Sequence, residues 1–237
     1  LLAGLVPAMA AAAPLDHWKI RSPLPTHYTL YGVAYHDGTY VAAGENGTIL
    51  TTRDGADWTS RTSGTTQALY DVSFGNGVYV AVGEGGTIVT SGDGADWTIR
   101  TSGTANTLNG VAFINGLFVA VGDNGTILTS SDGASWTSRD SGVTVGLLGA
   151  SYGSGTYVAV GGYNGTVVTS DEGTNWTSQT TGNLESLNGV AFGSGLFVAV
   201  GGNGALLTSN EGASWTSGTS TTDYSLQSVS YAGGLFV

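Results

Sequence analysis

Among residue types that can do chemistry, this chain offers carboxylates and little else. Its 237 residues include 17 Asp plus Glu, 6 Lys plus Arg, three His and no Cys. Thiol chemistry, disulfide scaffolds and zinc fingers are therefore excluded, and His17, His27 and His36 are too few for a His-rich metal site. Two carboxylates can act as acid and base across a glycosidic bond if one keeps its proton. Most of the acids lie in repeated turns; those standing apart are chiefly Glu45, Glu84 and Asp123, with Asp140, Glu185 and Asp223. His36 sits in a His-Asp-Gly turn, and no Ser-His-Asp set can be assembled around it. Gly83-Glu84-Gly85-Gly86 and Gly161-Gly162 look like phosphate loops, but no helix follows to supply a dipole, so they read as hairpin turns. No catalytic residue, metal or cofactor is expected.

A net charge of -11 gives phosphate backbones nothing to bind, so nucleic acid is not an expected partner. Charged residues make up 10 %, against roughly 25 % in ordinary soluble domains. Yet 41 % of residues are hydrophobic and no apolar run after residue 13 reaches membrane-spanning length. A folded, glycine-rich, all-β domain remains.

The elements that must position the acids follow from a repeat. Trp occurs at 18, 58, 97, 136, 176 and 215, at intervals of 39 or 40 residues. The first full unit reads LYGVAY, HDG, TYVAAG, ENG, TILTT, RDGAD, WTSR and a polar loop. Short runs rich in Val, Ile, Tyr, Phe and Thr alternate with Asp-Gly, Asn-Gly or Gly-Gly turns, which predicts a four-stranded antiparallel meander per unit. Val111-Ala112-Phe113 and Phe118-Val119-Ala120-Val121 are apolar throughout, so both sheet faces must be covered by neighbouring copies. Ala42, Ala81, Ala120, Ala159 and Ala199 in the second strand suit a crowded hub. Radially stacked wedges of this length and strand count predict a β-propeller, with five complete blades and a partial sixth.

Before each Trp lies an acidic turn, such as Arg53-Asp54-Gly55-Ala56-Asp57-Trp58 or Ser131-Asp132-Gly133-Ala134-Ser135-Trp136, with Asp93 before Trp97, Glu172 before Trp176 and Glu211 before Trp215. The acid can accept hydrogen bonds from the turn's N–H groups, the Gly permits positive φ, and the Trp buries its ring while donating its indole N–H. This turn resembles the Asp-box, or BNR, repeat of sialidases, sortilin-like receptors, some glycoside hydrolases and photosystem II assembly-factor-like propellers. The family pattern S-x-D-x-G-x-T-W has one more residue between Asp and Trp, and two blades here use Glu. The resemblance covers nearly the whole segment after residue 13 and implies a fold, not an activity. In the family's sialidases three Arg clamp a carboxylate. Here Arg61, Arg100 and Arg139 fall at one equivalent position on successive wedges and cannot converge.

Glu45, Glu84 and Asp123 share the turn between second and third strands, where blades four and five have Tyr163 and Gly202. They are expected on the face opposite the Trp turns, as an acidic arc beside Tyr163 that suits a cation, a basic peptide or a sugar. Asn46, Asn124 and Asn164 lie in N-x-T sequences and read as type I′ turn positions. The stretch 1–13, LLAGLVPAMAAAA, resembles the apolar core and cleavage site of a signal peptide, which predicts export, with the propeller from residue 14 on. Trp18-Lys19-Ile20-Arg21 matches a fourth strand without its own blade, and Leu235-Phe236-Val237 stops inside the repeat, so a fragment of a six- or seven-bladed parent is expected. The reading is an exported, non-catalytic binding or scaffold module whose partner is a protein or carbohydrate surface. A glycoside hydrolase using two of the isolated acids, and a multivalent lectin, are the alternatives.

Overall fold

A computed structural model describes residues 25–237; the leader-like stretch 1–13 and the segment 18–21, which the repeat matched to a fourth strand, lie outside the described residues. Five four-stranded antiparallel sheets follow one another along the chain, each with its strands in sequence order. Blade one is β1 (Leu30–His36), β2 (Thr39–Gly44), β3 (Ile49–Thr52) and β4 (Thr59–Arg61). Blade two is β5 (Leu69–Gly75), β6 (Val78–Gly83), β7 (Ile88–Ser91) and β8 (Thr98–Arg100). Blade three is β9 (Leu108–Ile114), β10 (Leu117–Gly122), β11 (Ile127–Ser130) and β12 (Thr137–Arg139). Blade four is β13 (Leu147–Gly153), β14 (Thr156–Gly161), β15 (Thr166–Ser170) and β16 (Thr177–Gln179). Blade five is β17 (Leu187–Gly193), β18 (Leu196–Gly201), β19 (Leu206–Ser209) and β20 (Thr216–Ser217). A two-stranded sheet, β21 (Tyr231–Ala232) with β22 (Leu235–Phe236), comes last. Among the described residues no helix is long and apolar enough to cross a membrane.

The core lies between sheets rather than inside any one of them. Val41, Ala43 and Ile49 of blade one meet Leu69, Val72, Tyr79 and Ala81 of blade two, and the same layer recurs at the next three joints. Burying both faces explains why the inner strands do not alternate apolar with polar residues. An aromatic ladder runs through each layer: Phe113 packs on Phe118, and Phe118 on Trp136, with equivalent sets at Phe74-Tyr79-Trp97 and Phe192-Phe197-Trp215. Among the described residues nothing covers the free face of blade one, where Val33 is 64 % exposed against 4 % for its equivalent Val72.

The innermost strand of each blade is the first, because β1, β5, β9, β13 and β17 pack against one another in turn. The crowding therefore falls on glycines of the first strand, not on the second-strand alanines as the sequence suggested. A Cβ on Gly110 would stand 2.7 Å from the Leu148 carbonyl oxygen, and one on Gly32 2.8 Å from the Asp71 Cα. Those alanines, from Ala42 to Ala199, are buried between sheets instead.

Candidate functional site

The Trp turns on one face are structural staples. Asp54 Oδ1 accepts the backbone N–H groups of Ala56 and Asp57 at 2.8 and 2.9 Å and the Thr52 hydroxyl at 2.9 Å. These donors, the two amides foremost, pull its carboxyl down to about 2. Asp132 repeats the pattern at about 2, and Asp93 is lowered by the same contacts. A carboxylate held ionised in this way cannot serve as a proton donor. Trp97, Trp136, Trp176 and Trp215 donate their indole N–H to the carbonyl of the turn glycine three residues back, and Trp58 is half-buried at the equivalent place.

Glu172 and Glu211 correct the expectation that every acid plays this role. Both are exposed, and in their turns the ordering bond comes from Ser170 and Ser209, whose hydroxyls accept the Gly173 and Gly212 N–H at 2.9 and 2.8 Å. The extra methylene of Glu moves its carboxylate out of the reach that Asp has to the two following amides. Arg61, Arg100 and Arg139 each donate Nε to a threonine of their own sheet, Thr51, Thr90 and Thr129, at 2.8 to 2.9 Å. They are tied down blade by blade. Among the described residues no group of three or more His, Asp or Glu side chains could hold a metal ion.

The opposite face collects the residues that differ between repeats. Glu45, Glu84 and Asp123 each open a tight turn, Glu45–Gly47, Glu84–Gly86 and Asp123–Gly125; Glu84 and Asp123 are exposed and Glu45 is half-buried. Asn46 and Asn124 take φ of 53° and 55° and are followed by Gly47 and Gly125 at 64° and 67°, the type I′ geometry expected of Asn-Gly. A Cβ on Gly47 would stand 2.0 Å from the Thr65 carbonyl oxygen, so the loop joining blades lies directly against the turn. Each acidic turn also touches the first strand of the next blade. The three acids thus stand over three consecutive joints, as the repeat implied.

Their surroundings differ. Glu45 accepts the Thr29 N–H at 3.0 Å and the Tyr31 hydroxyl at 3.2 Å, and the Thr29 amide lowers its pKa, opposite to what an acid catalyst requires. Asp123 accepts the Asn109 amide at 3.0 Å. Glu185, in the loop before blade five, accepts the Asn203 amide at 2.9 Å. Tyr163, at the tip of blade four, is 77 % exposed.

Two groups of site residues escaped the sequence reading. A β-bulge recurs near the start of each inner strand, between Leu30 and Gly32, Leu69 and Asp71, Leu147 and Gly149, and Leu187 and Gly189, and opposite Val121-Gly122 in blade three. The residues it re-aims are Tyr31, Tyr70, Asn109, Leu148 and Asn188. They form a varied rim, with the rings of Tyr31 and Tyr70 5.2 Å apart. The next position inward is Gly32, Gly110, Gly149 and Gly189 in four blades but Asp71 in blade two. Asp71 Oδ1 accepts its neighbour Val72 N–H at 2.8 Å, and Oδ2 accepts the Val111 N–H of blade three at 2.9 Å. Burial outweighs these two bonds and pushes its carboxyl up to about 6. The signal was present in the repeat, as LYDVSF against LYGVAY and LNGVAF.

A family model described as the DUF6242 beta propeller domain matches residues 72–188. No curated protein matches the chain. Among solved structures, one described as YCF48 bound to D1 peptide is 23 % identical with a TM-score of 0.67, covering 85 % of this chain and 71 % of its own. YCF48 from Cyanidioschyzon merolae is 18 % identical with a TM-score of 0.66, covering 88 % and 78 %. At these identities the likeness is one of fold, and together with five successive four-stranded sheets it makes the chain an all-β propeller.

Proposed function

We propose that this propeller is an exported, non-catalytic module that binds a protein partner through the face carrying Glu45, Glu84 and Asp123. The carrying observation is the contrast between faces. One face repeats the same staple, whereas the other presents exposed Tyr28, Tyr31, Tyr163, Leu184 and Tyr224 among acids. Exposed aromatics beside carboxylates suit a segment bearing Lys or Arg, through cation–π contact and charge pairing. A propeller of similar fold is described as bound to a peptide, which supports a protein partner. Resemblance of the Trp turns to the shortened Asp-box and the leader-like residues 1–13 support membership of that superfamily and export respectively.

A peptide array probed with the full chain tests this reading, with the triple variant Glu45→Gln, Glu84→Gln, Asp123→Asn as control. Selected segments are expected to be enriched in Lys and Arg, and the triple variant to bind them about tenfold more weakly, in keeping with exposed charge pairs. Selection without charge preference, or equal binding by the variant, overturns it. Glycan binding displaced by free monosaccharide would put a lectin in its place.

A further inference from the structure

A cavity of about 150 Å³ lies among the inner strands, lined by Asp71, Gly110, Val111, Gly149, Asn188 and Ser228 together with neighbouring apolar residues. We propose that this channel is a binding site for a single organic cation, an alkylammonium or guanidinium group, with Asp71 as its counter-ion.

The argument starts from how little room the hub has. Four blades carry Gly where blade two carries Asp71, and a Cβ at Gly189 would already stand 3.2 Å from the Ser228 Cα. A Cβ would meet backbone at 2.8 Å on Gly32 and 2.7 Å on Gly110, whereas Gly149 of blade four has ordinary clearance at 3.6 Å; blade two is the one that carries a side chain at this level. There it caps two strand-edge amides, of Val72 and Val111, that have no sheet partner on the channel side. Capping alone does not require a charge, because Ser73 does the same for the Phe113 N–H at 3.1 Å with a neutral hydroxyl. The carboxylate has about four lone-pair sites and these bonds use two of them. The residue keeps some surface toward the cavity while its carboxyl is enclosed by protein.

Among the described residues, what faces Asp71 offers no compensating charge. Gly32 approaches it from β1, Val82 pairs with it from β6, and Val111 donates from β9. Among the described residues Asp71 is the one titratable group lining the cavity, and the titratable groups of the rim above it are Tyr31, Tyr70, Glu45, Glu84 and Asp123. One carboxylate with no second acidic ligand matches a single positive charge rather than a divalent metal. Val, Ala and Leu walls suit the methylene stem behind such a charge, while the Asn188 side-chain amide is engaged elsewhere, donating to the Ser225 hydroxyl and the Leu226 carbonyl at 3.1 and 2.9 Å. Only the source of the cation, a protein side chain or a free amine, rests on the reading of the rim as a protein-binding face.

The test is NMR titration of the full chain with n-butylammonium, n-butylguanidinium and, as neutral counterpart, n-butanol, following the Val72 and Val111 amides. Saturable shifts are expected with the cations and none with n-butanol. Because only ionised Asp71 pairs with the cation, affinity should be about tenfold weaker at pH 5 than at pH 7. Asp71→Asn should weaken binding at least tenfold, while the Glu45, Glu84, Asp123 triple variant should bind as the parent does, which separates this site from the rim. If Asp71→Asn does not fold, Asp71→Gly serves, and the pH profile of the unaltered chain decides independently. Equal shifts from n-butanol, a flat pH profile or undiminished binding by the folded variant overturns the proposal. Tighter binding of Nα-acetyl-lysine methylamide than of n-butylammonium assigns the cation to a protein side chain, and equal binding assigns it to a free amine.

Discussion

Asp71 sets a stability profile that can be measured without any ligand. Its carboxyl titrates at about 6 in the fold against 3.8 in an open chain, a gap that corresponds to about 3 kcal/mol. The folded state holds the proton more tightly, so the ionised form is the costly one. Below pH 3.8 the cost is absent, between 3.8 and 6 it grows as pH rises, and above 6 it is complete at about 3 kcal/mol. Asp54 and Asp132 act in the opposite sense, since their lowered values make them stabilise above 3.8 and lose that contribution as pH falls toward 2, and Asp93, lowered by the same contacts, acts in the same direction. The two tendencies cross, so stability should peak near pH 4 to 5 rather than at neutrality. Asp71→Asn keeps one acceptor oxygen but turns an amide donor toward the other N–H, a pH-independent cost of about 1 to 3 kcal/mol. The slope, not the absolute stability, is therefore the informative quantity. Denaturant unfolding followed by Trp fluorescence at pH 4, 5, 6 and 7 should show the parent losing about 2 kcal/mol across that range and Asp71→Asn losing little. A variant with the parent's slope would refute the assignment of the titration to Asp71.

Other perturbations separate the roles of the scaffold. Leu108→Ala empties a site with no exposed surface between blades two and three and should cost about 2 to 5 kcal/mol in denaturant unfolding. Gly110→Ala sets a methyl 2.7 Å from a backbone carbonyl and should lower the melting temperature well beyond Gly116→Ala, whose Cβ meets nothing within 4 Å and which carries only the strain of φ 78°. Asp132→Ala removes the acceptor for two amides and a serine hydroxyl and should lower the melting temperature by several degrees, whereas Glu172→Ala should change it by less than a degree. A loss at Glu172 equal to that at Asp132 would show that the glutamate does bind its turn.

The architecture was legible because every blade repeats it. Trp spacing, the Asn-Gly turns and doubly apolar strands such as Phe118–Val121 each encode a local geometry that only face-to-face stacking completes. The placement of Glu45, Glu84 and Asp123 over consecutive joints followed from the same period. The errors have physical sources. Glu172 and Glu211 align with Asp54, but alignment does not register that one methylene decides whether a carboxylate reaches its own turn's amides. The alanines at 42, 81, 120, 159 and 199 looked like hub residues because nothing in a strand pattern says which of four strands lies innermost.

Asp71 shows where the information about a site lies in a repeat protein. A residue that repeats with the same contacts from blade to blade, as Asp54, Asp93 and Asp132 do, serves the wedge. A residue that breaks the repeat costs the scaffold something, here an ionised carboxylate at a position where two of the equivalent glycines, Gly32 and Gly110, have backbone within 2.8 Å of where a methyl group would stand. Sorting acids by whether they lie in turns passes over Asp71, since it stands inside a strand otherwise read as core. Comparing the blades column by column instead isolates it at once, along with Tyr31, Tyr70, Asn109, Leu148 and Asn188 at the bulge beside it. Bulge and carboxylate are coupled, because the same extra residue that lifts Tyr70 onto the rim brings Asp71 to the channel edge. The rim and the channel are in this sense two levels of one device, built by a single irregularity in an otherwise regular strand.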